Sequence, residues 1–309
     1  DPSYDRAVFE STLQHEGCLD ASMTKILRPL PRRFKRSHLM SQIARFRKLN
    51  KRLSAKQTRS LERAEALAEL NYTISFSKDQ PLPERAIFPV SSYESNGIED
   101  ARFVRFLDEH GGATIYATYT AYNGRTIKPL IIETSDFLRF NVRSLSGDAA
   151  QNKGMALFPR KVRGRFAMIS RHDAESLYIV TSDHVHIWDG PRALLTPTFP
   201  WEFTQIGNCG SPIETEAGWL LLTHGVGPMR KYCIGAILLD KEDPSRIIRR
   251  LRSPLIMPDE TEREGYVPNV VYTCGALIHN GRLLLPYAMS DYATRIASVS
   301  VDEVLQKME

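Results

Sequence analysis

The apolar positions change their period once along the chain, near residue 71. Before that point they recur at helical spacing: Leu39, Ile43 and Phe46 fall on one face of a helix across residues 37–46. Residues 60–70 are rich in strong helix formers. Pro29 and Pro31 separate an earlier helix from this pair. After residue 71, short runs of β-branched and aromatic residues take over, at 113–119, 166–170, 177–180, 219–223 and 282–286. Between them lie Asn123-Gly124, Arg163-Gly164, Asp189-Gly190, Ala217-Gly218 and Asn280-Gly281. Such pairs favour tight turns, so the second part reads as a series of antiparallel hairpins.

Three of these hairpins share a theme, in which a turn glycine precedes an apolar strand and a polar cluster follows it. Gly164 leads to Ser170-Arg171, Gly218 leads to Thr223-His224-Gly225, and Gly281 leads to residues 286–291. The turn glycines are 54 and 63 residues apart, a period that suits four-stranded propeller blades with long loops. A propeller would bring the polar clusters around one axis; a twisted β-sandwich is the alternative. The expected organisation is a basic helical segment over 1–70 and a β domain over 71–309.

Charge sharpens that division. Residues 25–63 hold fourteen Lys or Arg and a single acid, Glu62, whereas the balance from residue 71 onward is slightly acidic. A nucleic-acid-binding arm is one reading of the basic run. Its apolar residues at helical spacing favour packing on the β domain or on a second copy of the chain. No run is apolar enough to span a bilayer, and the first twenty residues are polar with several acids, unlike a secretory signal. The four cysteines, Cys18, Cys209, Cys233 and Cys274, form no Cys-x-x-Cys pair. They read as free thiols of a reducing cytoplasm, with no metal site.

Four clusters could carry chemistry. Residues 94–102 place Glu99 and Asp100 after an Asn96-Gly97 turn and before Arg102. On a regular strand the two carboxylates face opposite sides, so only one could serve a shared site. Residues 152–161 with Ser170-Arg171 set basic groups on both sides of an apolar strand, which also describes a charge-protected edge. Residues 207–212 and 223–232 set His224 among glycines with Arg230 and Lys231 six and seven positions later, a group able to hold an anion, although a lone histidine is usually structural. Glu264 and Tyr266 combine a carboxylate and a ring, a pairing that suits a sugar or simply a charged loop. Nucleophile elbows, thiol-protease signatures and His-Glu-x-x-His are absent from the sequence.

Taken in order, these clusters resemble glycoside hydrolase family 130, the β-mannoside phosphorylases and related mannosidases. The resemblance rests on residues 96–102 (Asn-Gly-Ile-Glu-Asp-Ala-Arg), 119–122 (Tyr-Thr-Ala-Tyr), 134–137 (Thr-Ser-Asp-Phe), 153–161 (Lys-Gly-Met-Ala-Leu-Phe-Pro-Arg-Lys), 223–226 (Thr-His-Gly-Val) and 238–244 (Leu-Leu-Asp-Lys-Glu-Asp-Pro). It implies a mainly β, five-bladed propeller, here with helices ahead of it. The family's opening strand and arginine cluster have no counterpart in residues 1–83, so the first blade is either absent, supplied by residues outside this sequence, or replaced by the helices. The family usually has Pro where Ala101 stands.

What the resemblance implies is inverting phosphorolysis of β-mannosides to α-mannose 1-phosphate, or the reverse synthesis onto an acceptor sugar. Inorganic phosphate is the co-substrate, with no cofactor. Asp100 matches the proton donor, and Lys153, Arg171, His224 and Arg230 are the cationic candidates for phosphate. Asn96, Glu99, Arg102, Asp136, Asn208, Tyr232, Glu264 and Tyr266 are the candidates for sugar contacts. A β-mannoside hydrolase and a non-catalytic carbohydrate-binding propeller remain the alternatives.

Overall fold

A computed structural model describes residues 3–309. Four helices come first: α1 (Arg6–His15), α2 (Ala21–Leu27), α3 (Arg36–Leu49) and α4 (Ala55–Leu70). Their starts follow local chemistry, because side-chain acceptors satisfy N–H groups that lack helical partners. Asp5 accepts from the Ala7 and Val8 amides, Asp20 accepts from that of Met23 at 2.8 Å, and Ser54 and Gln57 form a reciprocal capping box. The helices enclose Leu13, Met23, Leu27, Leu39, Ile43 and Leu61, all fully buried. Each such side chain contributes about 1.5–3 kcal/mol relative to exposure. Part of the basic run is neutralised internally: Arg63 pairs with Glu16, and Arg47 grips Glu65 with two bonds of 2.6 and 3.0 Å.

From residue 72 the chain builds four antiparallel sheets. The first orders Tyr72–Ser75, Arg139–Ser144, Ile127–Thr134, Ala113–Tyr122 and Ile98–Leu107 across its width. The second runs from Ala156–Leu157 through Phe166–Ser170 and Leu177–Ser182 to Arg192–Leu195. The third runs from Gln205–Asn208 through Gly218–Gly227 and Lys231–Leu239 to Ile247–Arg250, and Ile213–Thr215 also pairs with Gly218–Gly227. The fourth centres on Arg282–Met289, flanked by Val271–Tyr272, Leu277–His279 and Ala293–Ser300. The turn pairs behave as their residues require: Arg163-Gly164 and Asn280-Gly281 both have positive φ at both positions.

The sheets stack face to face in a propeller-like arrangement. Phe106, Leu157, Met168 and Trp188 fill the space between the first and second. Phe158, Ile179, Trp219 and Leu239 join the second to the third, with the Phe158 and Trp219 rings edge to face at 5.1 Å. Leu222, Ile234, Leu283 and Leu285 join the third to the fourth. Among the described residues there are four such sheets; before residue 72 the only sheet is a two-stranded ribbon pairing Ser3–Asp5 with Arg33–Lys35. The fourth meets the first near Arg102 and Tyr272; beside that contact a cavity of about 580 Å³ is lined by Ala101, Phe103, Leu277 and Ala288.

A buried glutamate before three of the sheets recurs as a device that the sequence reading missed. Glu94, Glu202 and Glu262 each close a short 3₁₀ turn and accept bonds from backbone amides three or four residues earlier. Each then ties the turn to its sheet. Glu94 takes the Tyr119 and Tyr72 hydroxyls, Glu202 takes Arg250, and Glu262 takes Tyr287 and Arg295. Burial alone would raise the Glu94 pKa, but the bonds from Tyr119, Ser91, Tyr72 and Val90 outweigh it and hold the carboxyl below its ordinary value.

Candidate active site

The leading strand of each sheet lies at a sheet edge, and these edges bring the polar residues together. The register of Ile98–Leu107 against Ala113–Tyr122 shifts between Glu99 and Arg102, and Asp100 adopts φ 59° there. This bulge re-aims the carboxylate. Asp is among the few non-glycine residues that adopt this conformation readily. Glu99 turns outward and pairs with Lys153. Asp100 turns toward Arg102, whose side chain is only 2% exposed.

Arg102 donates from Nη1 to the Asp100 carbonyl at 3.0 Å, and from Nη2 to the Tyr272 hydroxyl at 2.6 Å and to Asp100 Oδ2 at 3.4 Å. Tyr272 itself lies 3.3 Å from Oδ2. Burial works against the charge of Arg102, but Tyr272 and Asp100 offset it and its pKa is raised. Burial also drives the Tyr272 phenol well above its ordinary value, although Arg102 opposes the shift. Cys274 Sγ stands 3.8 Å from Oδ1, and burial with the adjacent carboxylate pushes that thiol up to about 12. All four cysteines are free thiols.

A second group continues from Tyr272 into the third sheet. The Tyr272 ring meets His224 edge-on at 5.2 Å, and His224 stacks on Tyr232 at 5.9 Å with planes 11° apart. Arg171, just past Phe166–Ser170, places Nη1 3.1 Å from His224 Nε2. A guanidinium only donates, so Nε2 is the acceptor and the ring proton sits on Nδ1. His224 is therefore neutral. Burial, then Arg171 and Arg102, hold its pKa well below the ordinary histidine value. This corrects the sequence reading, which grouped His224 with the cations. Gly207 makes room for the ring: a Cβ there would stand 2.3 Å from Cε1.

Polar atoms without partners gather at the same place. Asn208 Oδ1, Thr223 Oγ1, Ser170 Oγ, Arg171 Nε and Arg102 Nε are buried and unsatisfied among the described residues. Buried polar groups are normally paired, so a cluster of unpaired ones points to a polar ligand. Gly154, with φ 92°, packs against Asn208 and Arg171. Arg230 is exposed in a tight turn with φ 54°, its guanidinium 5.7 Å over the Tyr232 ring.

Several expected residues lie farther out. Asp136 sits beyond Thr134, whose register partner Ile115 is opposite Arg105; this is the far end of the sheet from Asp100. Its carboxylate accepts the Leu138 and Arg139 amides at 2.8 and 3.0 Å and so closes a turn. Asn96 lies over the Gly124 turn. Glu264 and Tyr266 are exposed, Tyr266 by 89%. Tyr272, Cys274 and Asp291, which line the cavity with Asp100, were missed because they belong to apolar or turn segments with no charge pattern of their own. A larger cavity, about 800 Å³, lies elsewhere, between α1 and the outer strand Tyr72–Ser75, and contains none of these groups.

Asp100, the buried guanidinium of Arg102 and the unpaired atoms of Asn208 and Thr223 together offer a polar ligand a set of hydrogen-bonding partners. The profile of the glycoside hydrolase family 130, described as β-1,4-mannooligosaccharide phosphorylase, matches residues 61–309. The chain belongs to this family. A 1,2-β-oligomannan phosphorylase of Thermoanaerobacter sp. (strain X514) is 30% identical over 247 residues, 77% of this chain and 80% of that protein. A β-1,2-mannobiose phosphorylase of Listeria innocua is 29% identical over 262 residues, 81% of this chain and 72% of that protein. The structure of the Listeria innocua β-1,2-mannobiose phosphorylase with β-1,2-mannobiose superposes with a TM-score of 0.65 at 25% identity. It covers 74% of this chain, and this chain spans 64% of that one.

Proposed function

We propose that the chain is an inverting β-mannoside phosphorylase acting on mannosides or, in reverse, on α-mannose 1-phosphate and an acceptor sugar. The observation that carries this reading is the opposition of Asp100 to Arg171 across Tyr272 and His224. A phosphate oxygen attacks the anomeric carbon as the bond to the aglycone oxygen breaks. The proton that the aglycone needs comes from Asp100 by way of a mannose hydroxyl. Arg171, with Arg230 at the rim, balances the phosphate charge, while Lys153 is already paired with Glu99. His224 contributes by holding Arg171, and Asn208 and Thr223 supply partners for sugar or phosphate oxygens. Among the described residues Arg171 is in no ion pair with a carboxylate and bonds instead to the neutral His224, which favours phosphate over an activated water.

Inorganic phosphate is the co-substrate, no cofactor takes part, and the reaction runs in the cytoplasm. A five-bladed ring would place its further blade beside the junction of the fourth and first sheets, where Phe103 and Leu277 are 49% and 55% exposed. The test is phosphate release from α-mannose 1-phosphate with mannose, glucose and other acceptors, with Asp100→Asn in parallel. Release that needs an acceptor and is lost in the variant supports the reading. Hydrolysis of β-mannosides without phosphate, or binding alone, overturns it.

A further inference from the structure

Asp100 must both give and take a proton in a reversible phosphorolysis, so it matters which of its oxygens carries that proton. Arg102 and Tyr272 both address Oδ2. The bond between them has a fixed sense, because a guanidinium has no acceptor: Arg102 donates to the Tyr272 oxygen at 2.6 Å. The phenol's own hydrogen is thereby left for Asp100. Its ring packs edge-on against His224 at 5.2 Å. Among the described residues Oδ1 receives nothing stronger than the Cys274 thiol at 3.8 Å, and Asp100 lines the cavity of about 580 Å³.

Resting on the phosphorylase reading, we propose that Tyr272 is the positioning residue of the proton transfer: it pins Asp100 by Oδ2 and leaves Oδ1 to exchange the proton with substrate. When the aglycone departs, the Oδ1 proton goes to the mannose hydroxyl, whose own proton goes to the aglycone oxygen. Synthesis returns both. Tyr272 keeps its hydrogen throughout and never touches the reacting atoms. Its strand is short, Val271–Tyr272, so the residue is set by its pairing with Ala288.

The other groups around the carboxyl do not substitute for it. Glu99 and Lys153 neutralise each other on the outer side of the strand. Cys274 is held protonated by burial, and His224 is neutral. Asp291 lines the same cavity from the Arg282–Met289 hairpin, and Cys209 is a buried thiol of the third sheet.

The experiment compares wild type and Tyr272→Phe in phosphate release from α-mannose 1-phosphate with an acceptor, across pH, with melting temperatures alongside. Loss of a hydrogen bond to the carboxylate raises its pKa. In synthesis the carboxylate is the base, so the acid limb of kcat/KM moves to higher pH. The expected shift is about half a unit or more, with kcat down about tenfold and KM for mannose 1-phosphate little changed. Site-specific fluorination of the Tyr272 ring keeps the fold and makes the phenol a stronger donor, so the limb moves the other way. Limbs that stay put in both proteins overturn the proposal, as does a fall confined to melting temperature. If the wild type itself releases no phosphate, the phosphorylase reading fails first; if it is active and only the shifts are missing, the role of Tyr272 alone falls.

Discussion

Arg171 and His224 form a pair in which the histidine serves the arginine: Nη1 of Arg171 donates over 3.1 Å to Nε2 of a buried, neutral ring. The pairing orients a cation toward the centre without adding a second charge. Replacement of His224 by Ala leaves a void and removes an acceptor from Arg171. The expected cost is about 2–4 kcal/mol in stability. The KM for phosphate should rise more than kcat falls, which steady-state kinetics at varied phosphate would show.

The same histidine gives a pH dependence with a definite sign. Its folded pKa lies below the ordinary value of about 6.5. The unfolded chain therefore takes up the proton first as pH falls. Stability should be level above about pH 6.5 and decline below it, with a slope of at most about 1.4 kcal/mol per pH unit from this group. His224→Asn should flatten that decline between about pH 5 and 6.5, measured by denaturant titration.

Gly207 is a steric prediction. A methyl group at this position would lie 2.3 Å from His224 Cε1. Gly207→Ala should cost about 1–3 kcal/mol and displace the imidazole. Since the ring holds Arg171, phosphate affinity should fall with it. A crystal structure of the variant would show the ring shifted.

Asp100 occupies a conformation that an L residue adopts at a cost of about 1–2 kcal/mol. Asn tolerates it equally well, so Asp100→Asn should melt within a few degrees of wild type while losing about a hundredfold or more in turnover. Asp100→Val, branched at Cβ, should lose both activity and several degrees in melting temperature.

Breaking the buried Glu202–Arg250 pair tests the recurrent turn. Glu202 is fully buried, and Arg250 reaches both its oxygens at 2.7 and 2.9 Å. Glu202→Ala leaves a largely buried cation without its partner and should cost about 3–5 kcal/mol. Calorimetry would show the loss, and enzyme that remains folded should keep its KM values.

Much of this was legible in the sequence. The change of period near residue 71 marked the helices and hairpins, because side-chain spacing follows backbone geometry directly. The Asn280-Gly281 and Arg163-Gly164 turns announced themselves by residue type. Asp100 and Arg171 were singled out by the family motifs they match, since the charge pattern alone left Glu99 and Asp100 undecided. Glu99 and Asp100 were expected on opposite faces of a regular strand; the bulge that separates them depends on pairing with a distant strand. The role of Tyr272, at the end of the Glu262–Tyr272 cluster, was hidden for the same reason, since its partners Arg102 and Asp100 lie about 170 positions away. The neutrality of His224 also comes from long-range packing, and Asp136, drawn in by its motif, closes a turn instead.

The passage from α4 to the first sheet takes a single residue, Asn71. Its side-chain oxygen accepts the Ser144 amide at 2.9 Å, and its carbonyl accepts the Tyr4 hydroxyl at 2.9 Å. Leu67 belongs to the helical core and Leu70, less than one turn on, to the core of the sheet. With no slack between them, neither can fray without loosening the other. The two should lose their amide protection together in hydrogen exchange, as one cooperative foldon, and a protease should find no hinge at which to part them.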